Sequence, residues 1–473
     1  MIEVIQSVLA LIVTLSILVT IHELGHYWVA RLCNVHVLRF SVGFGKPIYM
    51  KLGKPPVKVD PPEGQEIFTR SNEPLSGTEF AVAAIPLGGY VKMLDEREGV
   101  VPDDLKHLAF NRKPVLQRIA ITVAGPVANF LLAIVAYWIL FTVGVAGIVP
   151  LLGDIDPTSA AGKAGLRKGQ EIVAIDGEQT RQWSDVNMQL FTRIGDTGSI
   201  GITVREPGSY DTKSTYQIGI YNWMSKEEEP FPMSDLGLQL DYPPIPAIIG
   251  ALVETGAAEA AGMMIGDKIA IFDGKAVKDW IELVDLIQAH PQEQVTVSVI
   301  RNDQLVDLFV SVGVVERDGE TIGYLGASRQ AIEFPEHMER VVSYPFYTAW
   351  IPAMEKTWSV TLFTLSSIKK MIQGAISPKN LSGPITIAQI ASATAQSGAE
   401  SFISFIALLS ISLGVLNLLP IPILDGGHLL YYLVELVTRR PVPERVQLWG
   451  LQMGMFIIVS IMLLAFYNDL MRL

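Results

Sequence analysis

The stretch VTIHELGHYWVAR, residues 19–31, sets His22, Glu23 and His26 at the end of a run, residues 4–21, that carries no formally charged side chain. Ionisable groups cost free energy in hydrocarbon and persist there mainly when paired, metal-bound or functional. On a helix, residues four apart share a face, so His22 and His26 aim at one point while Glu23 stands beside them. Two neutral imidazoles at this spacing suit a zinc ion, and the adjacent carboxylate suits a general base acting on water at the ion's open position. A pair of merely satisfied helical histidines is the plainer alternative, and the apolar setting weighs against it.

The whole chain has the composition of a protein that is part membrane and part soluble domain. Its 473 residues are 49% hydrophobic and 18% charged, with a mean hydropathy of +0.35. Three further runs without charge, at 119–153, 401–424 and 446–467, each exceed the roughly 20 residues that cross a bilayer core. Four spans are expected. The first lacks the basic start and small-residue cleavage site of a signal peptide, since only Glu3 precedes it, so it reads as a retained helix. Lys and Arg crowd residues 31–118 and 439–445, which the positive-inside bias assigns to the cytoplasm, leaving both chain ends outside. Residues 153–336 hold about twice as many acidic as basic side chains, which excludes a nucleic-acid surface. The lone Cys33 excludes an intrachain disulfide.

Two pieces of the acidic segment repeat. Residues 159–186 align with 257–284 and pair Gly165 with Gly262, Gly169 with Gly266, Asp176 with Asp273, Gly177 with Gly274 and Trp183 with Trp280. A fixed period of this length indicates two copies of one small domain, and the alternating stretches 198–206 and 294–302 make each copy β-rich. The pattern resembles PDZ domains, which accept an extended peptide along a sheet edge. That likeness implies peptide contact or steric filtering by the pair, with rigid spacers as the alternative.

A metal at His22 and His26 needs another ligand, and the second polar intrusion is GVLNLLPIPILDGGHLL, residues 414–430. Asp425 ends the uncharged run and is the preferred third ligand, with water in the fourth place. The glycines after it leave little bulk near the ion. His428, three residues on, is the rival, assigned a supporting or interfacial role.

HELGH at 22–26, GPVAN at 125–129, NLLPIPILDGG at 417–427 and the tandem repeat between the second and third spans together resemble the site-2 protease family of intramembrane zinc metalloproteases, over essentially the whole chain. The resemblance implies a polytopic α-helical membrane protein with four transmembrane helices, a membrane-associated β element and two outer PDZ-like α+β domains in tandem. It implies one catalytic Zn²⁺ on His22, His26 and Asp425, with Glu23 as general base and acid. Asn417 would position the substrate backbone, and Gly125, Asn129, Pro420 and Pro422 would pack near the site. The residue chemistry agrees: an amide both donates and accepts, glycine lets helices approach, and proline disturbs a helix, though an ordinary kink is the simpler reading of the prolines. A transmembrane substrate must be unwound, since its carbonyls are bonded within its own helix. The family likeness makes Gly88, Gly89 and Tyr90, in PLGGYVKM at 86–93, a candidate substrate-pairing loop.

Implied substrates are single-span membrane proteins already trimmed on the outer side, such as a truncated anti-sigma factor of envelope-stress signalling, with remnant signal peptides as further candidates. The implied location is the bacterial inner membrane, with the PDZ-like domains periplasmic and the active site toward the cytoplasm. The alternative from another class is a membrane-anchored PDZ-type scaffold with a structural metal site. The expected boundaries are helix 1 at 1–30, a cytoplasmic and membrane-dipping β region at 31–114, helix 2 at 115–150, PDZ-like domains at 151–238 and 239–330, amphipathic helices and linker at 331–398, helix 3 at 399–432, a cytoplasmic loop at 433–445 and helix 4 at 446–468. Within 341–372, Pro345, Pro352, Glu355 and Lys356 favour helices lying on the outer surface over a fifth span.

Overall fold

The computed structural model describes residues 2–53, 77–206, 212–225, 227, 230–241, 245–317, 320–330 and 334–472. Helix α1 (Ile2–Leu32) runs unbroken through the HELGH motif. Strands β1 (Val37–Leu52) and β2 (Glu79–Met93) then curl into an antiparallel sheet, each long enough to contribute twice. Residues 37–42 lie between 89–93 and 79–82, and 79–83 pair on their other side with 47–52. Among the described residues, segment 89–93 is therefore one edge of the sheet. At the opposite edge Ile48, Tyr49, Met50 and Leu52 are exposed apolar side chains, a surface suited to lipid rather than water.

Helix α2 (Val115–Val143) ends at Gly144, whose φ of 105° favours glycine. The boundary expected at 150 is thus corrected: strand β3 (Val145–Ile148) already leaves the helix. The first repeat comprises α3 (Ala160–Ala164), β4 (Glu171–Ile175), β5 (Glu178–Gln179), α4 (Trp183–Phe191), β6 (Gly198–Arg205), β7 (Lys213–Ile220) and α5 (Pro232–Leu236). The second comprises β8 (Ile249–Leu252), α6 (Ala257–Ala260), β9 (Lys268–Phe272), β10 (Lys275–Ala276), α7 (Trp280–Gln288), β11 (Gln294–Arg301), β12 (Gln304–Ser311), β13 (Gly313–Arg317), β14 (Glu320–Tyr324) and β15 (Ala327–Arg329). Their main sheets share one order, β5-β4-β6-β7 and β10-β9-β11-β12. Asp176–Gly177 and Asp273–Gly274 all have positive φ, the conformation that closes a tight hairpin with the right twist. Each copy closes its own core, one around Ile172, Ile200 and Leu190, the other around Phe272, Val297 and Leu283.

Strand β16 (Glu339–Val342) pairs with β3, and α8 (Trp350–Ile372) follows as a single helix with Pro352 in its first turn, where a missing N–H costs nothing. Its Ala353 and Val360 pack with α2 residues, while Trp350, Met354, Trp358 and Leu362 form an exposed stripe four residues apart. Polar ties fasten the first repeat to α8: Lys356 reaches Asp185 at 3.1 Å, and Lys370 reaches the Ile194 carbonyl and Asp196, each at 2.8 Å.

The chain closes with α9 (Pro384–Gln396), α10 (Ala399–Leu418), α11 (Asp425–Thr438) and α12 (Glu444–Arg472). Helices α1, α2, α10 and α12 are long and apolar enough to cross a membrane. The expected third span at 399–432 is corrected to two helices, because α10 stops at Leu418 and α11 begins at Asp425. Pro420 and Pro422, lacking N–H groups, fall in the irregular link between them. Helix α12 is anchored near its end by buried Asp469, which accepts from the Gly383 and Ile385 amides at 2.8 Å and the Thr386 hydroxyl at 2.6 Å. This carboxylate caps α9, supplying acceptors that a helix N-terminus lacks.

Candidate metal centre and active site

Helices α1, α2 and α11 converge on three atoms. His22 Nε2 lies 3.2 Å from His26 Nε2 and 3.2 Å from Asp425 Oδ2, and His26 Nε2 lies 3.4 Å from the same oxygen. Ligand bonds of about 2.05 Å at tetrahedral angles place ligand atoms about 3.3 Å apart, so this triangle matches one face of a zinc tetrahedron. The chemistry of the donors agrees. His26 Nδ1 faces the Ile121 carbonyl at 2.8 Å, and a carbonyl only accepts, so that nitrogen carries the proton and Nε2 of the neutral ring presents its lone pair. Asp425 Oδ2 is buried without a hydrogen-bond partner. Bare acceptors gathered this closely call for a cation between them. His22, His26 and Asp425 also form the one cluster able to hold a metal among the described residues.

The approach of α1 to α2 depends on glycine. A Cβ on Gly125 would stand 2.3 Å from His26 Nε2 and 2.8 Å from His22 Cε1, and one on Gly25 would stand 2.3 Å from the Ala124 carbonyl oxygen. The glycines after Asp425 act differently from the sequence expectation. They face away from the ligand atoms: a Cβ on Gly426 would meet the Leu419 carbonyl oxygen at 2.1 Å, and one on Gly427 the Ile421 carbonyl oxygen at 2.5 Å. Their smallness lets the first turn of α11 fold onto the proline link, which aims the Asp425 carboxylate. Arg118 of α2 then grips Glu435 of α11 through two hydrogen bonds of 2.7 and 3.1 Å.

Beside the triangle a cavity of about 450 Å³ is lined by Glu23, Tyr90, Val91, Asn417, Asp425 and His428, among others. The Val91 backbone amide donates to the Glu23 carboxylate, which puts the edge 89–93 directly beside it. Gly89 makes that possible, since a Cβ there would lie 2.7 Å from the Ser41 carbonyl oxygen and 3.1 Å from Glu23 Cγ. Gly88 leaves room for the Phe44 ring, which stacks on Tyr90. These residues were expected in a loop. The structure corrects this to the second half of β2, paired through Gly89 with Val42 and through Tyr90 with Ser41. The structure thus gathers His22, Glu23, His26, Asp425, Asn417, Gly125, Asn129 and Tyr90 in one place, with His428 on the cavity wall and Pro422 lining a second cavity that shares Arg97, Ile423 and His428 with the first.

Sequence reasoning missed Asp95, Arg97 and Tyr432, which line the cavity. Arg97 donates to Asp95 at 2.6 and 2.9 Å, and this pairing raises its pKa further. Asp95 and Arg97 gave one advance signal, a cluster of charges following an apolar strand, and Tyr432 gave none.

The profile of Peptidase family M50 matches residues 10–55 and 63–461, and the chain belongs to this family. It is a site-2-type intramembrane zinc metalloendopeptidase, a multi-pass protein of the inner membrane. Among similar proteins, the regulator of sigma-E protease RseP of Escherichia coli K12 is 39% identical over 462 residues, covering 98% of each chain. The protein of the same name from Salmonella typhimurium is 37% identical over 473 residues, covering all of both, and protease RseP of Yersinia pestis is 37% identical over 479 residues, again covering all of both.

Proposed function

We propose that this enzyme holds one catalytic zinc ion on His22, His26 and Asp425 and hydrolyses a peptide bond in or near the transmembrane segment of single-span proteins already trimmed on their outer side. The observation that carries this reading is the triangle of His22 Nε2, His26 Nε2 and Asp425 Oδ2 lying beside Glu23 and a sheet edge. A bound zinc ion would supply Lewis acidity, activating water and polarising the scissile carbonyl. Glu23 takes the proton of the attacking water and returns it to the departing amine nitrogen. An unwound substrate segment pairs along residues 89–93, whose edge amides and carbonyls replace the hydrogen bonds lost from the substrate helix. Asn417, which lines the same cavity, holds a neighbouring substrate amide, since its side chain can donate and accept at once.

The relatives' names as regulators of sigma-E support an anti-sigma factor as the natural substrate and a role in envelope-stress signalling. The lysine and arginine distribution supports both termini and the PDZ-like pair on the periplasmic side, with the cavity opening toward the cytoplasm. The pair then stands over the core as a filter that a bulky outer domain fails to pass.

The test uses the purified enzyme in lipid vesicles and one single-span substrate made with and without a folded outer domain. The expected result is cleavage of the short form alone, abolished by zinc chelation and restored by zinc. Equal cleavage of both forms would refute the filter, and chelator-resistant cleavage would refute the metal mechanism.

A further inference from the structure

Asn129, expected from the sequence to pack near the site, has the surroundings of a metal-site support. Asn129 is wholly buried, and its amide lies 3.1 Å from His22 Nδ1. Its Oδ1 has no partner. Its backbone carbonyl accepts from the buried hydroxyl of Ser410 on α10 at 2.8 Å, so the residue is tied to α1 through its side chain and to α10 through its backbone. Along α2 the residues facing the histidines come at intervals of four: the Ile121 carbonyl meets His26 Nδ1, Gly125 leaves space for both rings, and Asn129 meets His22 Nδ1. Residues four apart on one helix present one stripe, and here that stripe runs antiparallel to the pair His22 and His26.

We propose that Asn129 is a positioning residue for the metal, accepting the Nδ1–H of His22 through its side-chain oxygen as the Ile121 carbonyl does for His26. This rests on the zinc reading above. A neutral imidazole carries one proton, so a ring whose Nε2 lone pair faces the cluster carries it on Nδ1 and needs an acceptor there. The amide oxygen and nitrogen of Asn129 are nearly equal in size and exchange places by a half-turn about the terminal torsion. The orientation with Oδ1 on the ring gives the orphaned oxygen its donor and fixes the tautomer that ligates. Supports of this kind orient a ligating histidine and raise its basicity, and their loss typically weakens metal affinity by about 10–100-fold.

The experiment compares the full-length protein in detergent with Asn129→Leu, similar in size but without polar atoms, and Asn129→Asp, which keeps the acceptor. Zinc affinity is read by competition with a chelator, the ligand field by absorption of the Co²⁺-loaded protein, and folding by thermal unfolding with chelator in excess. The expected result is zinc binding weakened by about 10–100-fold in Asn129→Leu, with an altered Co²⁺ spectrum, and affinity within about threefold of wild type, or tighter, in Asn129→Asp. Wild-type affinity in Asn129→Leu would overturn the inference. So would a tenfold or greater loss in Asn129→Asp, which decides the matter alone if the leucine variant does not fold. If His22→Ala binds zinc as tightly as wild type, the zinc reading itself fails and takes this inference with it.

Discussion

Adding one methyl group at Gly125 tests how tightly the metal site depends on the seam between α1 and α2. In Gly125→Ala the new Cβ would lie 2.3 Å from His26 Nε2, 2.7 Å from His26 Cε1 and 2.8 Å from His22 Cε1. Non-bonded carbon contacts settle at about 3.5–4.0 Å, so the rings or the helices must part by about 1 Å. The ligand triangle measures 3.2–3.4 Å on a side, so a shift of that size removes at least one imidazole from bonding range. Overpacking of this kind costs about 1–3 kcal/mol, so the protein stays folded while the site is spoiled. Zinc affinity should fall by at least about 10–100-fold, the loss typical of displacing even a ligand's support, and proteolysis should fall with it. Chelator competition on purified protein reads the first and cleavage of a single-span substrate the second. Gly99→Ala, where a Cβ meets nothing within 4 Å, is the control. Wild-type zinc affinity in Gly125→Ala would refute the reasoning.

Other outcomes follow from different parts of the fold. Gly89→Val should retain zinc but lower cleavage at least about tenfold, one power of ten for each 1.4 kcal/mol of misplacement, because even a Cβ there crowds Glu23 and Ser41; metal content and activity measured together check this. Asp469→Asn should lower thermal stability by about 1–3 kcal/mol, because a buried charged acceptor with several donors is lost. In the second PDZ-like domain, hydrogen bonds from Arg301 hold the buried Asp267 below its ordinary value of 3.8. Its stabilisation is therefore complete above that value and is lost as pH falls through the lowered folded value. Asp267→Asn should flatten the acid side of the unfolding profile of the full chain, and an unchanged profile would count against the pair's role.

Much of the site was legible because its signals are local. HELGH needs only helical spacing to place His22, His26 and Glu23 together, and Asp425 stood out as a charge ending an apolar run. The repeat was legible by self-comparison, down to its Asp-Gly turns. What escaped depends on partners distant in sequence. The division of 399–432 into α10 and α11 was foreshadowed by Pro420 and Pro422, but the lengths of the two helices depend on Gly426 and Gly427 folding back on the link. The curled sheet escaped because β1 and β2 each pair in two registers, and alternation alone does not say which segment is left as an edge. The bond from Arg118 to Glu435 joins residues 317 positions apart. Asn129 was placed near the site by the GPVAN motif, but its contact with His22 became visible only once α2 was seen against α1.

The central claim is that Glu23 moves the proton while the two histidines and Asp425 hold the metal. Glu23→Gln keeps the shape and removes the base, so zinc content and cleavage of a defined single-span substrate, measured at matched protein levels, separate the two roles. Wild-type zinc content with cleavage reduced by several orders of magnitude is the predicted result. A variant that keeps its zinc and cuts as fast as wild type would contradict the account.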